Sequence, residues 1–384
     1  MPVLIATDFR VMRFEGRYYL KNKHYHITKR YVDAFGKAIL FTRVLEADSQ
    51  PAGFDAGPML RGVIDAKSLK DVFLNRSAGH IRNALADCSL AICRFPSVPA
   101  YKAAGEACRM QIPVLAECMG DALDASWNHS AAGKLVAAYY YLSMKRWVRK
   151  SSFALYVTDR FLQERYPCPG RACAASNVAL GAFADVNALD KRLARINAFD
   201  PQKPVLITVG AADNASKGYA AVIKALPLMK KRGVNAGYVV AGPGDTSPLA
   251  ALAARLGVEE NVEFTGELTS EQVRDRLFAA DIYVQPSLQE GLPRAVIEAM
   301  ACGCPCAGSR IGGIPELIQK EYLVKPGDPG DLREKLLRLC SKDNLLRAAR
   351  ENLARSRDFD ETVLDTRRQA FFDCVKACLK KDDL

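Results

Sequence analysis

Residues 281–306 read "DIYVQPSLQEGLPRAVIEAMACGCPC", and this stretch decides the fold. It begins with a short apolar run, which indicates a buried strand. After a loop, a helix is predicted from about Pro293, where the missing N–H does no harm, to just before Gly303, a natural helix end. Strand, loop and helix in this order are the repeating unit of a parallel α/β sheet. In such sheets, ligands bind at the loops that leave the carboxyl ends of the strands.

The stretch places two glutamates in unlike surroundings. Glu290 lies in the loop, whereas Glu298 lies inside the helix among apolar neighbours. An unpaired carboxylate in that setting is unfavourable or shifts its pKa, so it needs hydrogen-bond donors. The adjacent hydroxyls of a ribose would supply them, as they do in dinucleotide-binding folds. The alternative is a carboxyl group that reaches past the helix to water or to an arginine of the core.

The same strand and helix pattern recurs along the whole chain. The strands are continuous apolar runs rather than alternating ones, which is typical of parallel sheets covered on both faces. Helical patterns separate them, so the sequence predicts two doubly wound α/β domains. The predicted strands lie at 3–9, 38–44, 90–95, 113–119 and 153–159 in the first half, and at 204–210, 237–242, 261–266, 281–287 and 322–327 in the second.

A boundary between the two domains is predicted in residues 196–210, where polar residues and two prolines precede a new strand. The first Rossmann-like domain is therefore expected to cover residues 1–198 and the second residues 199–361. The helix of about residues 362–384 is expected to pack back on the first domain. Charge supports this division, because residues 1–198 hold 28 Lys and Arg against 17 Asp and Glu, whereas the rest holds 26 of each.

Composition narrows the class of protein. The chain has 384 residues, 49% of them hydrophobic, but its apolar runs are far shorter than the roughly 20 residues of a membrane span. No basic segment leads into an apolar stretch at the N-terminus, so a cytoplasmic protein is expected. Its twelve cysteines are interpreted as reduced, buried thiols, because most of them lie in apolar runs. Cys302, Cys304 and Cys306 lack the spacing of a zinc site. No metal is expected.

Lys217 follows the predicted strand at 204–210 and lies in the stretch "GAADNASKGY". A strand, a loop of small residues and a serine before a helix form a cradle for phosphate. The order of a P-loop is absent, so this is a different kind of phosphate site. The alternative is a solvated lysine at the edge of a helix, which is common.

Residues 286–318, "PSLQEGLPRAVIEAMACGCPCAGSRIGGIPELI", resemble the hallmark of the retaining family-four glycosyltransferases of GT-B fold. In that family two glutamates are separated by seven residues, as Glu290 and Glu298 are here. The resemblance is strong over residues 204–320 and includes "AGPGD" and "LGVEENVEFTGEL". In the first half it rests on the order of strands and on "YVTDRFLQERYP". It implies two Rossmann-like domains that face each other across a cleft.

The resemblance also implies roles for single residues. Glu290 would hold hydroxyls of the donor sugar, Glu298 the ribose of its nucleotide, and Lys217 would neutralise the diphosphate. Other residues that it assigns to the donor site are Gly291, Leu292, Pro293, Arg294, Gly210, Gly242, Gly244 and Leu268.

The chain departs from the family pattern after Gly210. Where the family usually has an arginine, this sequence has Ala211 and Ala212. The charge of the diphosphate must therefore be met by other groups. The hypothesis is that Arg294 or Arg310 supplies the missing positive charge.

Two further departures fall in the first half. The glycine-rich loop after the first strand is reduced to Gly16, and in place of the family's histidine near the sugar the sequence offers Asp121 as a candidate catalytic residue. The basic and aromatic stretch at residues 10–31 follows the first strand, and Arg10, Arg13 and Gly16 are the candidate acceptor-binding residues.

The first domain is expected to bind a glycan or lipid-linked acceptor, which can be anionic, or the inner face of a membrane. Residues 137–152 form a second basic stretch. Its apolar stripe indicates core packing rather than membrane insertion. No module typical of nucleic-acid binding accompanies these charges, so nucleic acid is not an expected partner. The residues of the stripe are Val136, Tyr140, Met144, Trp147 and Val148.

Together these features predict a glycosyltransferase that moves a sugar from a nucleotide-diphosphate sugar to a hydroxyl group, in synthesis of a cell-surface polysaccharide or a glycolipid. The resemblance implies retention of the anomeric configuration, with no cofactor and no metal, so that catalysis rests on position and charge. A sugar-nucleotide epimerase of the same architecture and a non-catalytic two-lobed sugar-binding protein remain as alternatives.

Overall fold

The computed structural model describes residues 2–67, 77–122, 131–183 and 185–381, with the backbone alone for residues 131–136. The chain forms two compact units. The first comprises Met1–Ala175 and the chain from Thr366 onward, and the second comprises Ser176–Asp365.

Most strands of the first unit form one sheet of seven parallel strands. Its order is β11-β10-β9-β8-β1-β4-β7, so the chain runs outward from β1 to β7 and then from β8 to β11 on the other side. The remaining four strands form a small mixed sheet in the order β5-β2-β3-β6. The strands are β1 (Val3–Ala6), β2 (Val11–Phe14), β3 (Arg17–Leu20), β4 (Ala38–Thr42), β5 (Val44–Glu46), β6 (Phe54–Asp55), β7 (Leu60–Asp65), β8 (Leu90–Phe95), β9 (Val114–Cys118), β10 (Phe153–Tyr156) and β11 (Arg171–Ala174).

The second unit has one sheet of six parallel strands in the order β14-β13-β12-β15-β16-β17. Counted from its first strand this is the order 3-2-1-4-5-6 of the doubly wound dinucleotide-binding fold. The strand order therefore reverses between β12 and β15. The strands are β12 (Val205–Val209), β13 (Gly237–Ala241), β14 (Val262–Phe264), β15 (Ile282–Gln285), β16 (Cys306–Ser309) and β17 (Leu323–Val324).

Helices connect the strands in both units. Among the described residues, no helix combines the length and the apolar character that crossing a membrane requires. The helices are α1 (Asn22–Phe35), α2 (Ala78–Ala86), α3 (Val98–Arg109), α4 (Ala131–Arg149), α5 (Phe161–Arg165), α6 (Ala188–Asn197), α7 (Tyr219–Lys230), α8 (Ser247–Arg255), α9 (Ser270–Ala279), α10 (Arg294–Ala301), α11 (Pro329–Leu339), α12 (Lys342–Ser356) and α13 (Glu361–Lys381).

The predicted fold class is confirmed, because each unit is a parallel sheet in doubly wound order with helices between its strands. Apolar strands build the two cores. All four residues of β1 and of β15 are buried, as expected for strands covered on both faces. All twelve cysteines are free thiols, and Cys302, Cys304 and Cys306 lie fully buried around the end of α10 and the start of β16.

The units divide at Ala175, earlier than the boundary predicted at residue 198. Arg192 of α6 explains the difference. It is fully buried, and its guanidinium donates hydrogen bonds to the carbonyl oxygens of Leu277 (2.7 Å), Ala280 (2.6 Å) and Cys302 (3.2 Å). These carbonyls follow or end α9 and α10, so α6 is part of the second unit.

The final helix, α13, continues into the first unit from Thr366. The ring of Phe372 lies 5.6 Å from that of Tyr31 and 5.2 Å from that of Phe35, both on α1. Phe372 is buried at 2% exposure, so these rings form part of the core of the first unit.

Candidate active site

The candidate site lies where the strand order of the second unit reverses. Adjacent parallel strands β12 and β15 send their following loops to the same edge of the sheet. At such a reversal the two loops leave toward helices on different faces, and a crevice opens between them. The loop after β12 carries Lys217, and the loop after β15 carries Glu290.

The two loops are held together by backbone contacts. The N–H of Leu288 donates to the carbonyl oxygen of Ser216 at 2.7 Å. Gly218 has a φ of +72°, and a Cβ added there would lie 2.1 Å from the carbonyl oxygen of Pro286. Only glycine tolerates both the backbone angle and the close approach. Gly218 therefore allows the lysine loop to lie directly against the glutamate loop.

The lysine loop itself is stabilised by Asn214. Its side-chain oxygen accepts hydrogen bonds from the N–H of Ser216 at 3.1 Å and from the hydroxyl of Ser216 at 2.7 Å. A single turn of 3-10 helix over Ala215–Lys217 follows, and α7 starts after Gly218. Asn214, rather than Ser216, is thus the capping residue of this turn.

Lys217 and Glu290 form an ion pair at the centre of the site. The Nζ of Lys217 lies 2.5 Å from Oε1 of Glu290, and the side chains are 24% and 11% exposed. A partly buried pair is screened less by water and salt than an exposed one. The pair therefore presents a fixed positive and a fixed negative group at the carboxyl edge of the sheet.

Three buried polar side chains orient Glu290. Its Oε1 also accepts hydrogen bonds from Nε2 of Gln285 and Oγ of Ser287, both at 3.0 Å. The hydroxyl of Tyr283 donates to Oε1 of Gln285 at 2.5 Å and fixes the amide orientation. Burial raises the pKa of Tyr283, so its phenol keeps the proton that it donates. The sequence analysis missed this network, although "YVQPS" gave a signal by placing polar residues at the end of a buried strand.

A pair of glycines in the segment after β16 supports the glutamate loop. Gly312 has a φ of +57°, and a Cβ added there would lie 2.1 Å from the carbonyl oxygen of Glu290. The N–H of Gly313 donates to the carbonyl oxygen of Gly291 at 2.6 Å. The "GG" of residues 312–313 is therefore part of the site, and the sequence analysis assigned it no role.

Glu298 lies on α10, half-buried. Burial raises the pKa of its carboxyl group, and the nearby charge of Arg294 opposes this only in part. Within the described part of the chain, no side chain or backbone group donates a hydrogen bond to Glu298. The buried Arg192 bonds to carbonyl oxygens instead, so this arginine does not satisfy the carboxylate.

The structure places three of the assigned glycines at the carboxyl ends of β12 and β13. A Cβ on Gly242 would lie 2.1 Å from the carbonyl oxygen of Gly210, and one on Gly244 would lie 2.6 Å from Oδ1 of Asp213. All three have positive φ, at +154° for Gly210, +151° for Gly242 and +116° for Gly244. These glycines let the backbone segments pack closely at the site. Leu268 lies half-buried in the loop between β14 and α9.

The two arginines of the charge hypothesis are both exposed. Arg294 starts α10, which follows Leu292 and Pro293 of the loop, and Arg310 comes directly after β16. Neither guanidinium pairs with a side chain in the described ranges. Ala211 stands at the position where the family usually has an arginine. Its carbonyl oxygen accepts a hydrogen bond from the buried hydroxyl of Tyr219 at 3.2 Å.

Asp121, the candidate catalytic residue of the first unit, is 3% exposed. One carboxylate oxygen accepts a hydrogen bond from the hydroxyl of Tyr166, and the other lies 2.6 Å from Nε of Arg165. Both oxygens are therefore engaged by neighbours within the first unit, an arrangement that stabilises the segment after β9.

The candidate acceptor residues lie on and before a β-hairpin. Gly16, with a φ of +74°, and Glu15, with a φ of +46°, form the two-residue turn between β2 and β3. Arg13 pairs with Glu46 at 2.6 Å, and Arg10 is exposed before β2. Gly16 is thus a hairpin-turn residue, whereas the sequence analysis treated it as the remnant of a glycine-rich loop.

Most of the apolar stripe on α4 faces inward. Met144 and Val148 are fully buried, and Tyr140 stacks on Tyr101 of α3 at 5.7 Å. Trp147 is half-buried, and the side chain of Val136 lies outside the described residues. Within the described ranges, no group of three or more His, Cys, Asp or Glu comes together as metal ligands.

The residues of this site lie in a region that is similar to known proteins. Residues 190–356 match the family described as glycosyl transferases group 1. The chain is 28% identical over 358 residues to protein CapJ of Staphylococcus aureus, covering 91% of this chain and 88% of CapJ. It is 35% identical over 147 residues to the amylovoran biosynthesis glycosyltransferase AmsK of Erwinia amylovora, covering 36% of each chain.

Solved structures show the same fold over nearly the whole chain. Sucrose-phosphate synthase of Thermosynechococcus elongatus matches with a TM-score of 0.69 and 16% identity, covering 98% of this chain and 99% of that one. The Anabaena protein HepE in complex with UDP matches with a TM-score of 0.67 and 14% identity, covering 97% and 99%. At such low identity these matches show the fold alone.

Proposed function

We propose that this protein is an enzyme that moves a sugar from a nucleotide-diphosphate sugar to a hydroxyl of a glycan or lipid-linked acceptor, because residues 190–356 match the group 1 glycosyl transferases. The observation that carries the proposal is the Lys217–Glu290 ion pair at the reversal of strand order, because ligands of this fold bind there. The transfer retains the anomeric configuration and needs no metal. The glutamate spacing supports retention, as in the family that the sequence resembles.

In this mechanism, catalysis depends on the charge and the position of the side chains in the site. Lys217 and the free N–H groups at the start of α10 stabilise the departing diphosphate. Glu290, oriented by Gln285 and Ser287, accepts hydrogen bonds from the donor sugar. The acceptor hydroxyl approaches the anomeric carbon on the face from which the diphosphate leaves, the bond to the diphosphate breaks, and a phosphate oxygen takes the proton of the hydroxyl, so the configuration is retained. Each charged group is already in place before the reaction, so little reorganisation is needed.

The donor nucleotide is proposed to be a uridine diphosphate, because HepE, of the same fold, was solved with UDP. A panel of uridine, guanosine and cytidine diphosphate sugars tests this choice. The true donor raises the melting temperature by mass action, and an acceptor glycan then releases nucleotide diphosphate and gives a product of unchanged anomeric configuration. Epimerised donor without acceptor, or an inverted product, would refute the proposed reaction.

Glu298 is proposed to bind the ribose, because its carboxylate is half-buried on α10 and lacks a donor in the described part of the chain. Glu298→Gln is expected to weaken nucleotide-diphosphate binding about tenfold, through loss of charge-assisted hydrogen bonds. Titration calorimetry measures this change.

The same variant has an expected effect on stability. Because folding raises the pKa of Glu298, the charged carboxylate destabilises the folded state above that pKa, and the cost disappears as pH falls below the unfolded value. Glu298→Gln should therefore raise the melting temperature at neutral pH, and the gain should vanish in acid. A variant that binds nucleotide normally would exclude the ribose role.

The missing arginine is proposed to be replaced by Arg294 or Arg310. Both are exposed near the glutamate loop and lack a partner among the described residues. Alanine at the responsible position should weaken nucleotide-diphosphate binding about tenfold and leave nucleoside binding unchanged, since only the diphosphate is charged. The exposed Arg255→Ala serves as the control. If Arg294→Ala and Arg310→Ala are both silent, the hypothesis fails.

The first unit is proposed to bind the acceptor during synthesis of a polysaccharide or glycolipid, with the enzyme in the cytoplasm and in contact with the inner membrane face. Its exposed groups on α4 support this. Lys145, Arg146 and Arg149 are exposed beside Leu142, whose side chain is 63% exposed. A helix surface that combines cations with an apolar side chain suits an anionic acceptor or membrane surface.

A further inference from the structure

A groove runs between α3 and α4 in the first unit, and no role has been assigned to it. Its cavity of about 150 Å³ lies between parallel helices that each precede a strand of the large sheet. We call it the α3–α4 groove. Among the residues that line it are Tyr101, Lys102, Gly105, Glu106, Tyr139 and Trp147.

Aromatic rings form the walls of the α3–α4 groove. Gly105 lies inside α3, where glycine is unfavourable, and a Cβ there would lie 3.3 Å from the indole of Trp147. The glycine therefore lets the indole lie against the backbone of α3. Tyr101 is stacked between Phe95 at 5.4 Å and Tyr140 at 5.7 Å. This stacking holds Tyr101 rigidly, while the rings of Trp147 and Tyr139, which also line the groove, offer flat surfaces for an apolar face of a ligand.

The hydroxyl of Tyr101 is a buried polar group without a partner among the described residues. Tyr101 is only 5% exposed, and its hydroxyl makes no hydrogen bond with any group in the described ranges. Buried polar groups are nearly always hydrogen-bonded, so an exception calls for an explanation. A ligand hydroxyl in the groove would complete this hydrogen bond.

Of the two cations that line the groove, Arg109 is paired and Lys102 has no counter-ion among the described residues. Glu106 is fully buried, and its carboxylate pairs with Arg82 at 3.2 Å and Arg109 at 2.8 Å. Lys102 lies half-buried one turn earlier and forms no ion pair with a described residue. Burial lowers the pKa of Lys102, the charge of Glu106 raises it, and the charges of Arg109 and Arg82 lower it further. The groove therefore favours an anion that would pair with Lys102.

We propose that the α3–α4 groove binds an acidic sugar residue of the acceptor glycan. The pyranose ring would lie on Trp147 and Tyr139, its carboxylate or phosphate group on Lys102, and a ring hydroxyl would bond to Tyr101. Aromatic walls, together with a hydroxyl and a cation that no described residue pairs with, suit a charged sugar better than an apolar chain. The inference rests on the proposed glycosyltransferase function and adds the class of acceptor.

Fluorescence of Trp147 provides the test. The chain has two tryptophans, so Trp127→Phe leaves Trp147 as the sole indole of the full-length protein. Titration with methyl glucuronide should give a saturable change, while methyl glucoside and inorganic phosphate bind at least about tenfold more weakly, because each offers half of the contacts. In this background Lys102→Gln should weaken glucuronide binding about tenfold. The exposed Lys37→Gln, which removes the same charge elsewhere in the unit, should not.

Tyr101→Phe separates a binding role from a structural one. The variant should weaken glucuronide binding severalfold yet keep or raise the melting temperature, because it removes a buried hydroxyl that no described residue hydrogen-bonds in the free protein. A lower melting temperature with normal binding would mean that the hydroxyl is structural.

Several results would overturn the proposal. They are the absence of a saturable response to glucuronide, equal affinity in the Lys102→Gln variant, or a response only to vesicles of phosphatidylglycerol, which would make the groove a lipid contact. Transfer to the acceptor, measured in parallel, separates the two claims. Normal sugar transfer without glucuronide binding would refute the role proposed for the α3–α4 groove. Glucuronide binding without any sugar transfer would refute the proposed reaction.

Discussion

Replacing Glu290 by glutamine is expected to lower the rate of sugar transfer about a hundredfold or more. The carboxylate of Glu290 accepts hydrogen bonds from Nζ of Lys217 at 2.5 Å and from two further side chains. Glutamine has nearly the same shape but lacks the negative charge that balances the charge of the lysine. Removing one preorganised electrostatic group from an active site typically costs this much in rate. The loss should appear mainly in kcat, because the group acts most strongly on the transition state. Initial rates at saturating donor measure it.

The control for Glu290→Gln is Glu259→Gln, an exposed glutamate of the same unit. It removes the same charge far along the chain from the two loops and should transfer sugar at the normal rate. Thermal melting of both variants checks that the second unit stays folded. A Glu290→Gln variant with normal turnover would remove the central role assigned to this carboxylate.

Replacing Arg192 by methionine is expected to lower the free energy of unfolding of the second unit by about 3 kcal/mol or more. Methionine fills much of the volume but leaves the carbonyl oxygens of Leu277, Ala280 and Cys302 buried without donors. Each unsatisfied buried acceptor is costly. The melting temperature should fall by roughly 6 °C or more, which differential scanning calorimetry measures.

Arg255→Met is the matched control, because Arg255 ends a helix of the same unit with its side chain exposed. Its melting temperature should stay within about a degree of the parent, since surface substitutions rarely change stability much. If Arg192→Met melts like this control, the three carbonyl contacts contribute little, and α6 is held in the second unit by other contacts.

The parts of the site that could be predicted from the sequence are those for which the neighbouring residues along the chain give the signal. Glu290 follows a buried strand and precedes a helix, so its place at the carboxyl edge follows from chain order alone. Glu298 stood out as an acid in an apolar helix, and the structure shows the half-buried carboxylate that this pattern indicates. That Lys217 reaches Glu290 depends on sheet order, which the family resemblance supplied and local patterns did not.

What the sequence analysis missed depends on contacts between distant segments. Gly312 and Gly313 support the glutamate loop through its backbone, and no spacing rule connects them to residue 290. Arg192 was assigned no role from the sequence, yet it is fully buried against the ends of two other helices. The domain boundary was placed too late for the same reason, because the packing of α6 cannot be inferred from its own residues.

The strands, too, were predicted where the signal is local and missed where it depends on contacts between distant segments. The ten predicted strands correspond to observed ones, because long apolar runs are buried on both faces. Several observed strands were not predicted, and one of them, β16, reads "CAGS", whose small residues carry little strand signal. Gly308 shows why small residues are needed in this strand, because a Cβ there would lie 2.7 Å from the Cδ1 of Ile318. Tight packing selected these residues against their intrinsic preference.

The central claim is that Lys217 and Glu290 act as one unit on the donor. A double-mutant cycle on the transfer rate, with Lys217→Met, Glu290→Gln and both together, tests it most directly. We expect the double variant to be little slower than the slower single variant, because either change already breaks the pair. Effects that multiply fully, or single variants that transfer sugar at the parent rate, would contradict the account.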